Sequence, residues 1–233
     1  MPCALFGKTP SKRDFIAPGA PRGFLNVWEP WMQAGLSSSK HSLDRHWQER
    51  FLTAPIWRFW LGQGICGATV MGAFMPSLDG VGRYYPLTVL ATARGGEAFA
   101  PPQMDMHAEW FAGAENYLLD TLEATASFED ISARLDALPV PAPHDGQRDD
   151  TSLTRLAANC LFAAPEAGVT SGVFSAFQAA DWLPLHAQRS YWWTEGGDGF
   201  APQALAAQGM PPAEVFAGFL TGDYSAQTQR VLA

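Results

Sequence analysis

The 233 residues carry a net charge of −8, with 16% charged and 12% aromatic residues, so the chain is long enough for a real core and that core is aromatic. Residues 1–60 hold eight Lys/Arg against four Asp/Glu and the rest is acidic, without the basic cluster that phosphate neutralisation requires; nucleic acid is excluded as a partner. Three cysteines without C-x-x-C spacing and no secretory apolar segment at the start point to a reducing cytoplasm. The longest nearly uncharged run, Leu61 to Met75, is glycine-broken and shorter than the roughly 20 residues of a membrane-spanning helix.

Pro2 to Phe6 reads as a short strand. From Pro21 to Leu36 the residues Phe24, Leu25, Trp28, Trp31, Met32 and Leu36 recur at helical spacing, and Pro30 predicts a kink or a split into two helices. Ser42 is a candidate cap for a further helix to Phe51. Ile56–Leu61, Ala68–Met75 and Tyr84–Ala93 read as consecutive strands, most simply an antiparallel meander. Met104 to Ala126 is an amphipathic helix with Trp110, Phe111, Ala114, Tyr117, Leu118, Thr121 and Leu122 on one side.

Phe128–Leu138 continues as a shorter helix, and the Pro-rich stretch 139–150 is an exposed loop. Thr154–Phe162 is read as a helix, Val169–Phe174 and Arg189–Thr194 as strands, and Pro212–Leu220 as a closing helix. Strands interspersed with helices in this order imply an α+β fold in a single domain over 1–233, a mixed, mostly antiparallel central sheet flanked by helices in a three-layer αβα arrangement.

The chemistry-bearing signatures are missing: no G-x-S-x-G elbow, no phosphate-binding glycine loop and no H-E-x-x-H pair. His41 and His46 lie five apart, which is wrong for one helix face, so no metal site is expected; no catalytic residue or cofactor site is assigned either. Cys66 sits in an apolar stretch with no neighbour to lower its pKa and reads as a buried inert thiol. Two places stand out instead. In one, Lys8, Arg13 and Asp14 are bracketed by Phe6 and Phe15, and Ser77, Asp79 and Arg83 occupy a polar turn between two strands. These residues form either a recognition edge or internal ion pairs, with Asp14 meeting Arg13, Arg58 or Arg83, because a desolvated charge is costly unless paired. In the other, Trp192 and Trp193 fall on opposite faces of one strand, economically one in the core and one near the surface as an interface anchor.

Three segments together resemble one family. Leu5-Phe-Gly-Lys-Thr-Pro10 with Asp14-Phe15, Pro21, Phe24, Trp28 and Trp31 is similar to the N-terminal signature of the TagF/ImpM proteins associated with type VI secretion. Met75-Pro-Ser-Leu-Asp79-Gly-Val-Gly-Arg-Tyr-Tyr-Pro-Leu87 is similar to the central element of that family, and Ser190-Tyr-Trp-Trp-Thr-Glu-Gly196 to its closing one. The resemblance implies a cytoplasmic, non-enzymatic accessory protein that restrains secretion after translation by sequestering a scaffold protein with a forkhead-associated domain. Against it stand a small hydrolase or transferase using Asp14, Asp79 or Cys66, and an assembly chaperone for a secretion-apparatus component.

Overall fold

The computed structural model describes residues 3–122, 127–144, 153–157, 160–163, 177 and 181–225. Its centre is a six-stranded sheet built from β1 (Cys3–Phe6), β2 (Trp57–Leu61), β3 (Val70–Met75), β4 (Leu87–Thr92), β7 (Arg189–Thr194) and β8 (Gln203–Gln208), while β5 (Leu153–Ala157) and β6 (Cys160–Ala163) pair as a separate hairpin. The strand order is β1-β4-β3-β2-β7-β8 and every pairing in it is antiparallel. The predicted meander is β2-β3-β4. Its three strands are buried on both faces, which is why they read as continuous apolar runs rather than as alternation.

Helices cover both faces. Against one pack α1 (Arg22–Leu43), α2 (Trp47–Leu52) and α6 (Phe216–Thr221), enclosing Trp28, Trp57, Phe59, Phe74, Trp192 and Phe219. Against the other pack α4 (Ala108–Asp120) and α5 (Phe128–Ala137), enclosing Trp60, Met71, Val89, Trp110, Phe111 and Trp193. A one-turn α3 (Gln63–Cys66) joins β2 to β3, and residues 181–186 are helical. The α+β, three-layer expectation therefore holds.

Pro30 neither splits nor ends α1, which runs unbroken for 22 residues. Burying Phe24, Trp28, Trp31 and Met32 is worth roughly 1.5–3 kcal/mol per side chain, more in sum than the ~3 kcal/mol a mid-helix proline costs. Pro30 is itself exposed, so the Asn26 carbonyl deprived of its amide faces water. Helix α1 also overruns the expected boundary: Ser42 caps nothing and donates back to the Ser39 carbonyl at 3.2 Å inside the last turn. The break comes at Asp44, whose φ of 44° ends the helix before a 3₁₀ turn leads into α2. Gly35 lets α1 approach α6, since a Cβ there would lie 2.3 Å from the Phe216 ring.

Helix α4 is shorter than predicted, starting at Ala108 after a turn in which Met104 and Asp105 donate to the Pro101 carbonyl. Residues 123–126, the predicted end, lie outside the described residues. Its buried side is the expected one, except that Leu122 is exposed. Ser127 and Asp130 close a reciprocal capping box at the start of α5. The helix expected over 154–162 is instead the β5–β6 hairpin, a short apolar segment whose periodicity does not separate the two states. The strand expected over 169–174 lies outside the described residues, as does 145–150 of the Pro-rich loop. Strand β8 was not foreseen.

Candidate functional site

The turn between β3 and β4 folds around one carboxylate. Asp79 is fully buried, and its Oδ1 accepts from the backbone amides of Val81 at 3.1 Å and Arg83 at 2.9 Å, the short-range closure that aspartate favours in turns. Its Oδ2 accepts from Lys8 Nζ at 2.9 Å and Arg83 Nε at 2.6 Å. Desolvation pushes the Asp79 carboxyl up, but the Lys8 ammonium, Arg83 and the two amides outweigh it and hold the group well below the usual carboxylate range. One acid thus clamps two loops.

Lys8 reaches Asp79 because β1 is followed by Gly7, whose φ is 135° and where a Cβ would lie 2.1 Å from the Pro86 carbonyl oxygen; only glycine fits. The loop after it is tied across to the turn by the Gly80 amide donating to the Lys12 carbonyl at 2.8 Å and by Arg83 Nη2 donating to the Arg13 carbonyl. Phe15 packs edge-on to Tyr85 at 4.7 Å between ring centres while remaining half exposed, and Lys8 Nζ sits 5.0 Å from the same ring centre. Outside this frame stand Arg13, Asp14, with a side chain 96% exposed, and Arg83, 59% exposed.

The sequence-predicted residues therefore divide. Lys8, Asp79 and Arg83 come together as an internal ion-pair cluster; Asp14 lies 3.9 Å from Arg83 at the surface, and Arg13 offers its carbonyl. Ser77 is buried beside them with its hydroxyl unpartnered among the described residues. The tryptophan expectation is corrected. Trp192 is fully enclosed among the rings of one face, against Trp31 of α1, and Trp193 is 7% exposed with its ring edge-on to Phe111 of α4 on the other; neither protrudes as a surface anchor. Cys66 is half-buried rather than buried, and loss of solvent pushes its thiol up to about 12.

Arg58, a possible partner of Asp14 on sequence grounds, is engaged elsewhere. Its Nε and Nη2 grip Glu115 of α4 at 2.6 and 3.0 Å, and Nη1 meets Glu195 at 2.9 Å. This cluster escaped sequence reading because its members are 57 and 137 residues apart. Glu195 also rims a groove of about 640 Å³ formed by β7, β8 and the 102–106 loop. Among the described residues no group of His, Cys, Asp and Glu is arranged to hold a metal ion, and no helix is long and apolar enough to cross a membrane.

Comparison with known proteins agrees with this architecture. The chain superposes on the crystal structure of PA0076 from Pseudomonas aeruginosa PAO1 with a TM-score of 0.79 and 29% identity, covering 99% of this chain and 98% of that one. No curated protein matches. The model of the TagF N-terminal domain, type VI secretion system-associated, matches residues 4–138, which take in the Lys8–Asp79–Arg83 corner, the sheet from Ala4 of β1 through β2, β3 and β4, and α1, α4 and α5. The chain belongs to the TagF family of type VI secretion system-associated proteins.

Proposed function

We propose that this protein is a non-enzymatic, cytoplasmic accessory factor that restrains type VI secretion after translation by binding and sequestering a scaffold protein with a forkhead-associated domain. The observation that carries the reading is the clamp at Asp79: its carboxylate is spent on two cations and two amides, which favours holding shape over turnover. The same clamp rigidifies two loops whose outward groups, Arg13, Asp14 and the half-exposed Phe15 and Val81, make a mixed apolar and charged patch suited to a protein surface. Recognition by these side chains and internal pairing by Asp79 are compatible, since different residues perform them.

Affinity-tagged protein, expressed in cells that carry the secretion operon, is expected to co-purify with the scaffold. The Arg13→Glu and Asp14→Lys variants, which disturb only exposed side chains, are expected to lose the scaffold while keeping the melting temperature. Recovery of no secretion component by the wild type, or full recovery by both variants, contradicts the proposal.

A further inference from the structure

The two edges of the central sheet are finished differently. At β1 the outer side is closed by the following loop, with the Leu5 amide donating to the Pro18 carbonyl at 3.0 Å and Gly7 and Ile16 exchanging hydrogen bonds. At the other edge β8 pairs with β7 alone among the described residues, in unbroken register over six residues. Its sequence, Gln-Ala-Leu-Ala-Ala-Gln, has no charge, proline or bulge, the devices by which exposed edges are normally guarded.

We propose that the outer edge of β8 takes an extended segment of a partner protein as an added strand, its alternate bulky apolar side chains filling the adjoining groove and a basic residue meeting Glu195. Ala204 and Ala206 lie opposite Trp193 and Tyr191 on the groove face and are both exposed, so the strand supplies a backbone ladder but little side-chain volume. The groove of about 640 Å³ beside it has the size of a side-chain or ligand pocket. A second copy of this chain fills it poorly: two-fold antiparallel pairing sets same-face residues against each other, and that face of β8 carries only Ala204, Ala206 and Gln208, with no bulky apolar side chain to offer.

Charge completes the description of the occupant. At the Gln203 end of β8, one guanidinium, Arg58, is shared by two carboxylates, Glu115 and Glu195, which leaves one negative charge in excess at the groove. Glu195 is 65% exposed there, and Arg58 engages only its Oε1. A lysine or arginine at one end of the incoming strand balances that charge.

The test is selection of ten-residue peptides from a random display library on the intact protein, followed by anisotropy titration of the labelled synthetic peptides and amide hydrogen exchange. Selected peptides are expected to alternate bulky apolar residues with others, to carry a terminal Lys or Arg, and to slow exchange in residues 203–208. Ala206→Lys and, as an independent edge variant, Ala204→Lys are expected to weaken binding at least tenfold with unchanged melting. Glu195→Gln is expected to weaken it several-fold and flatten its salt dependence. Arg13→Glu, at the opposite end of the sheet order, is expected to leave peptide binding unchanged, which separates this proposal from the preceding one. Peptides without alternation, protection confined to other segments, binding indifferent to both lysine variants, or a wild-type dimer that Ala206→Lys dissolves would each overturn it.

Discussion

Asp79 is the residue on which the corner depends, and its protonation has a definite consequence for stability. In an unfolded chain an aspartate titrates at about 3.9; in the folded protein Lys8, Arg83 and two amides hold the group below that despite its burial. A depressed folded pKa contributes stability that is present above the unfolded value and is lost as pH falls through the folded one. Urea unfolding is therefore expected to show a loss of stability below about pH 4 in the wild type. Part of that loss should be missing in Asp79→Asn, which starts from a lower stability at pH 7 because the Lys8 ammonium then lacks its counter-charge; parallel pH profiles for the two proteins would contradict the assignment. Gly35 gives a second residue-scale expectation. Gly to Ala in a helix ordinarily stabilises by up to about 1 kcal/mol, but here the new methyl meets the buried Phe216 ring, so Gly35→Ala is expected to destabilise by about 1–3 kcal/mol in the same assay.

Among the elements, α1 is the clearest conflict between local preference and tertiary gain. Because the helix is continuous and Pro30 is exposed, Pro30→Ala is expected to raise the unfolding free energy by roughly 1–3 kcal/mol; an unchanged or lower value would mean that the proline shapes the helix usefully. The elements that were legible in the sequence carry large apolar side chains, either at helical period, as on the aromatic face of α1 and the buried side of α4, or in continuous runs, as in β2, β3 and β4. Those that were not legible lack such side chains or are short. Strand β8 is half alanine, with low strand preference, and forms because β7 offers it a full ladder. The β5–β6 hairpin, five and four residues long, falls below the length at which a helix and a strand can be told apart by pattern. Ser42 has the chemistry of a cap, but the chain turns two residues later, at Asp44.

For the molecule as a whole, the polar corner was legible because its residues cluster in two short segments, 8–14 and 77–83, each framed by aromatic or glycine residues. That Lys8 and Arg83 converge on one buried carboxylate needed the sheet order, which places β1 next to β4 and β4 next to β3. The Arg58 cluster and the groove beside β8 needed still more distant pairings, and no local pattern marks them. The result is a sheet with an aromatic core on each side, a clamped corner on one flank and, on the other, a strand that among the described residues pairs on one side only. Action by complex formation is the proposal that these features support. Calorimetric titration of the purified protein with the forkhead-associated-domain scaffold of the same secretion system tests it most directly. Saturable binding that weakens at least tenfold in Arg13→Glu, with unchanged melting, is the expected result, whereas no binding, or affinity indifferent to charge reversal at both Arg13 and Asp14, would contradict it.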